Sequence, residues 1–146
     1  MSTIKVGIAG LGRLGKVHAK NLCYRIPGAS LTAACSIVES ELDYAKRELG
    51  VNDVYTDFHE MLGKADIDAV AIVTTSGEHC WQIEAALAAG KHVFCEKPLG
   101  VTIEECRQAE RAVEKYSDKV FFLGFMRRYD QSYAYAKKKI DEGAIG

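Results

Sequence analysis

A short apolar run over residues 4–9 breaks into Gly10-Leu11-Gly12-Arg13-Leu14-Gly15 and then continues with helical periodicity. Nothing else in the chain restricts its fold as much. Gly10 permits the tight turn from strand to helix. Gly12 carries no side chain, so backbone can come close to a pyrophosphate. Gly15 lets the helix pack against the strand. The start of that helix then offers unpaired N–H groups and a partial positive charge to phosphates. Glycines also mark ordinary turns. The apolar strand before them and the helix after them favour a dinucleotide turn, with Gly10, Gly12, Arg13, Leu14 and Gly15 as cofactor-binding positions.

Beyond the turn, strand-like and helix-like segments alternate. Strands are expected at 4–9, 31–37, 54–55, 69–74, 92–95 and 120–125, and helices at 13–25, 39–49, 57–62, 78–89, 102–116 and 131–142. Asp57 and Thr102 each precede a helix by one residue and have Glu three positions on, the capping-box spacing. Gly28, Gly50, Gly90 and Gly143 close helices or turns. The run at 69–74 is almost continuously apolar, as for a parallel strand covered on both faces. This order implies right-handed βαβ crossovers and an α/β fold, a Rossmann-type doubly wound parallel sheet with helices on both faces.

Several function classes are disfavoured. A net charge of −1 favours neither nucleic acid nor an anionic membrane as partner. No apolar run is long enough to span a bilayer. The first strand begins almost at Met1, which leaves no room for a signal peptide. Five cysteines, odd in number and without a CxxC, fit reduced thiols of a cytoplasmic protein and no metal site. Lys137-Lys138-Lys139 reads as a solvated helix face, and Tyr129, Tyr133 and Tyr135 as packing residues.

Ligands of such sheets bind beyond the carboxyl ends of the strands, where strand order reverses. Three segments should therefore line one crevice: 10–14, 74–79 and 96–98. An acidic residue about 20 positions past the glycines normally binds the adenosine ribose. Ser36 occupies that place, and its hydroxyl can bond a ribose hydroxyl or a 2′-phosphate. No basic residue follows at once, and Glu39 would repel a phosphate. Charge thus favours NAD, with NADP still open. Thr74, Thr75 and Ser76 suit either close passage of a cofactor or a helix N-cap. His79, in the first turn of the next helix, either lines the site or packs. Glu96-Lys97-Pro98 is either a solvated ion pair or a fixed cation. Proline holds Lys97 extended, and near a nicotinamide its ammonium could orient a substrate hydroxyl.

These residues resemble the glucose-fructose oxidoreductase / inositol dehydrogenase family (Gfo/Idh/MocA). The matching motifs are the glycine run with Lys16-Val17-His18-Ala19, the segment 74–79, Glu96-Lys97-Pro98-Leu99, and Gly124-Phe125-Met126-Arg127-Arg128-Tyr129-Asp130. They span the chain in order, and within the family it looks most like enzymes acting on inositol or related cyclic polyols and sugars. The resemblance implies hydride transfer between a ring C–OH, with myo-inositol the leading substrate, and nicotinamide. It implies Lys97 as the catalytic residue of this half, a cis Lys97–Pro98 bond, and Glu96, Met126 and Arg127 near the nicotinamide end. Residues 1–125 would form the dinucleotide-binding domain. Residues 126–146 would be a linker and helix leading to a second α/β domain, absent here, that supplies the general base. The chain alone should then bind cofactor without turnover. Loss of that domain should expose Phe121, Phe122 and Phe125 and favour homo-oligomers. A naturally short nucleotide-binding sensor or partner module is the alternative.

Overall fold

The computed structural model describes residues 3–145. Six strands form one sheet: β1 (Ile4–Ala9), β2 (Ala29–Cys35), β3 (Asp53–Tyr55), β4 (Ala69–Ile72), β5 (His92–Glu96) and β6 (Phe121–Gly124). Their order is β3-β2-β1-β4-β5-β6, with every pairing parallel. Order therefore reverses between β1 and β4, as expected for the doubly wound fold. The helices are α1 (Arg13–Tyr24), α2 (Glu39–Leu49), α3 (Phe58–Lys64), α4 (His79–Ala88), α5 (Ile103–Lys115) and α6 (Gln131–Asp141).

Alternation along the central strands builds a core on each face of the sheet. Val6 and Ile8 of β1 and Ala71 of β4 pack with Ala19 of α1 and Ala45 of α2. Ala9, Val70 and Ile72 point the other way, against Met61 of α3, Ile83 and Leu87 of α4 and Ala109 of α5. Small residues dominate the strand centres, so the helices sit close and their termini converge at the carboxyl edge.

Helix ends follow local chemistry. Thr102 and Glu105 form a reciprocal capping box on α5. Asp57 accepts the Glu60 N–H at 2.7 Å, but Glu60 turns its own carboxylate to Lys64 at 2.6 Å, so only half of the expected box forms. Asp130 accepts from the Ser132 and Tyr133 N–H groups and starts α6.

The C-terminal segment departs from expectation. Tyr133 and Tyr135 are exposed, not packed, and Tyr129, also exposed, meets the Phe122 ring at 6.3 Å between centroids. No core of the sheet reaches α6, and only cations cover its rings: Arg127 lies 4.8 Å from the Tyr133 centroid and Lys139 5.6 Å from that of Tyr135. The lysine run is a solvated face whose members pair with Asp141 and Glu142. Phe122 and Phe125 are exposed as anticipated, while Phe121 is half-buried. Phe121 also borders an apolar groove of about 690 Å³ beside α5, which contains none of the candidate site residues. Among the described residues, no helix is long and apolar enough to cross a membrane.

Candidate dinucleotide site

A crevice of about 560 Å³ opens at the carboxyl edge where strand order reverses. Gly10, Gly12, Arg13, Leu14, Gly15, Ser36, Thr74 and Thr75 line it, together with Cys35, Glu41, Trp81 and Gln82.

The glycines have three separate duties. Gly10 has φ +88°, and a Cβ there would lie 2.5 Å from the Val73 carbonyl oxygen of the neighbouring strand end. A Cβ at Gly15 would lie 2.0 Å from the Gly10 carbonyl oxygen, so α1 rests directly on the turn. A Cβ at Gly12 would meet nothing nearer than Glu41 Oε1 at 3.8 Å. Nothing in the fold demands glycine at 12, which leaves open space where a ligand backbone would approach.

The start of α1 is bare. Its N-cap, Gly12, has no side chain to offer, and no acidic residue stands in the first turn. Of the other helix starts next to the crevice, α3 is capped by Asp57 and α2 carries Glu39 and Glu41 in its first turn, while α4, also without a side-chain cap, is preceded by Glu78 at the end of a 3-10 turn. Unpaired N–H groups, the positive end of the helix and the exposed Arg13 therefore face one side of the crevice. Arg13 has no ion-pair partner among the described residues. This donor set suits a diphosphate.

The far wall is held by buried polar side chains. His79 is 1% exposed. Its Nδ1 lies 2.7 Å from the Pro98 carbonyl oxygen and its Nε2 3.2 Å from that of Thr74. It thus ties the β4–α4 loop to the loop after β5 from beneath and does not line the crevice. An imidazole at the start of α4 can reach both loops only by turning inward, which a linear reading does not reveal. Thr74 donates its hydroxyl to Gln82 Oε1 at 2.6 Å instead of capping a helix, and a 3-10 turn, Ser76–Glu78, leads into α4. Ser76 sits in that turn, outside the crevice lining.

Glu96 is not a solvated partner of Lys97. It is buried, and its Oε1 accepts from His18 Nε2 of α1 at 2.8 Å. Its Oε2 accepts the Lys97 N–H at 3.2 Å. The Lys97–Pro98 bond is cis, and the Lys97 side chain is exposed. The glycine-turn helix therefore holds the Glu-Lys-Pro loop directly. Met126 and Arg127 lie beyond β6 in an exposed 3-10 turn, away from the crevice around the glycines.

Glu41 is not singled out by the sequence, where Ser36 fills the slot usual for an acid and Glu39 is the acid considered against a phosphate. Its Oε2 accepts the Ser36 hydroxyl at 2.6 Å and the Leu11 N–H at 3.2 Å. The available signal was its place in the first turn of the helix after β2, where an acid also serves any helix start. All five cysteines are free. Burial, with the Asp57 charge adding, pushes Cys35 up to about 11, and burial with the Glu96 charge pushes Cys95 up to about 12. Both are inert thiols at neutral pH. The described residues contain no cluster of three or more metal-ligating side chains.

Strand order, a bare helix start over a glycine turn and a crevice at the reversal point define a dinucleotide-binding Rossmann domain. Residues 4–125 match the model of the oxidoreductase family with NAD-binding Rossmann fold (GFO_IDH_MocA), and the chain belongs to that family. It is 41% identical over 143 residues to scyllo-inositol 2-dehydrogenase (NAD(+)) of Bacillus subtilis, covering 98% of this chain and 42% of that protein. It is 38% identical over 146 residues to inositol 2-dehydrogenase of Salmonella typhimurium, covering 99% and 43%. The crystal structure of scyllo-inositol dehydrogenase from Lactobacillus casei with bound NAD(H) and scyllo-inositol superimposes with a TM-score of 0.95 at 55% identity, again covering 99% and 43%. The chain thus spans less than half the length of these relatives.

Proposed function

We propose that this chain is the cofactor-binding half of an NAD-dependent dehydrogenase acting on inositol or a related cyclic polyol. The observation that carries the reading is the joining of the two motifs by His18 and Glu96. That contact sets the Lys97 loop against the same helix whose N-terminus faces the crevice. The 55% identity to a dehydrogenase crystallised with NAD(H) and scyllo-inositol supports the substrate class.

The groups would divide the work as follows. The N–H groups of α1 and the Arg13 guanidinium would hold the diphosphate, with Gly12 as the point of closest approach. Ser36 lies on the ribose side, and Thr74 and Thr75 line the path between the two ends. Bound NAD supplies the hydride acceptor. Lys97 would orient the substrate hydroxyl through its ammonium, and Glu96 would hold the peptide bond that carries it. Met126 and Arg127 would border the substrate end once a second domain is in place. Residues 126–146 would lead to that domain, which would supply the base. Five free thiols support a reducing, cytoplasmic setting, and exposed Phe122 and Phe125 support a homo-oligomer.

Titration of the purified chain with NAD by calorimetry tests the reading. Saturable binding of about one NAD per chain is expected, with no steady NADH formation when myo- or scyllo-inositol is added. Absence of binding overturns the assignment. Turnover by this chain alone would show that the base is already here.

A further inference from the structure

We infer that Glu41, held by Ser36, is the carboxylate that reads the adenosine ribose and excludes a 2′-phosphate, so that this chain selects NAD over NADP. The inference rests on the NAD-binding reading above and extends it to one residue.

The usual position for an acid, the end of β2, carries Ser36. Ser36 is buried, and the single proton of its hydroxyl is committed. It accepts the Val38 N–H at 3.1 Å and donates to Glu41 Oε2 at 2.6 Å. A hydroxyl already committed in both directions is poorly placed to recognise a ribose itself. What it does is position a carboxylate. Glu41 belongs to the first turn of α2, yet it reaches back over the glycine turn, where Oε2 also accepts the Leu11 N–H. Two donors on one oxygen fix the group, and Oε1 has no hydrogen-bond donor among the described residues. That free oxygen lies 3.8 Å from where a Gly12 Cβ would stand, within the crevice wall. A fixed carboxylate with an unused oxygen beside the open glycine is an acceptor for a vicinal diol.

The same geometry opposes a phosphate. A 2′-phosphate would bring about two negative charges toward a half-buried carboxylate, with Glu39 in the same helical turn. Residues 37–40 contain no Lys or Arg to neutralise it. Arg13, the one basic residue in the crevice lining, stands at the start of α1, where the diphosphate is expected. Selection is thus built from two residues: a serine at the strand end and a glutamate five residues on, in the first turn of α2.

Calorimetry on the full chain with NAD, NADP and 2′-deoxy-NAD decides this. Wild type should bind NAD about 100-fold more tightly than NADP and about tenfold more tightly than the 2′-deoxy analogue, as for a charged hydrogen bond gained or lost. Glu41→Gln, close in shape, should shrink the NAD/NADP ratio about tenfold and make NAD and 2′-deoxy-NAD nearly equal. Ser36→Ala should move both ratios the same way by a smaller factor. A purely structural role would weaken all three ligands in parallel and leave the ratios alone. Unchanged ratios in a Glu41→Gln protein that still binds NAD overturn the inference and spare the NAD reading. Equal wild-type affinity for NAD and 2′-deoxy-NAD overturns it without any variant. Wild type that binds no dinucleotide overturns the NAD reading, and this inference with it.

Discussion

The two walls of the crevice are built by opposite means. The glycine turn depends on side chains that are missing: Gly10 and Gly15 leave no room for a Cβ between α1, the turn and the end of β4. The opposite wall, the loop after β4, depends on side chains that are buried behind it: a His79 ring nitrogen lies within hydrogen-bond distance of a carbonyl in that loop and in the loop after β5, and Glu96 anchors the latter, which stands outside the crevice lining against expectation, to α1. The first wall is rigid by steric exclusion over a few residues. The second is rigid only because groups distant in sequence find one another. Position along the chain therefore reveals the first wall and conceals the second.

Gly15→Ala should produce the largest effect. A methyl group 2.0 Å from a carbonyl oxygen must displace α1, at a cost of about 3 kcal/mol in urea unfolding. A loss below 1 kcal/mol would show that the turn yields and would break the contrast. His79→Ala comes next. It removes the ring that lies between the Thr74 and Pro98 carbonyl oxygens and takes away a buried hydrogen-bond donor, at about 2 kcal/mol, together with faster hydrogen exchange in both loops. Exchange limited to one loop would show that His79 holds only that one.

Gly12→Ala sharpens the comparison from the ligand side. Space at 12 is open, so thermal stability should change little, while NAD affinity should fall about tenfold by calorimetry. The reverse pattern would place the cofactor elsewhere. Thr102→Ala should cost about 1 kcal/mol, the ordinary value for a lost N-cap, with NAD affinity unchanged, because α5 caps no wall of the crevice. The last effect is close to nil. With the Cys35 thiol at about 11, only about one molecule in a thousand is thiolate at pH 8. Iodoacetamide should leave Cys35 unmodified at pH 8 and label it progressively as the pH approaches 11. Rapid labelling at pH 8 would show that the wall opens.

Much of the fold was legible. The strand and helix segments appear where periodicity and glycine breaks put them, with ends shifted by one or two residues because strands stop where their pairing stops. The run at 69–74 is strand only through Ile72, since Val73 and Thr74 turn into the crevice. Site residues were legible where their role is steric and local, as at Gly10 and Gly15. For His79 both lining and packing stay open in the sequence, because a histidine in the first turn of a helix carries no sign of which way its ring points. Glu96 was read as half of a possible ion pair with Lys97, while its true partner, His18, lies 78 residues away. Tyr133 and Tyr135 read as packing residues, and no element of this chain supplies a surface for them.

Alternation of apolar runs with helical periods, cut by glycines, was enough to determine a parallel doubly wound sheet and a turn shaped for phosphates. These follow from backbone sterics and from burial on two faces, which act over neighbouring residues. Only the tertiary structure decided which carboxylate stands beside Gly12, which side chain joins the two loops and which cation stays free to act. Those choices depend on the directions of side chains that meet across the sheet edge. Five residues separate Ser36 from Glu41 along the chain, and only folding brings their oxygens to 2.6 Å.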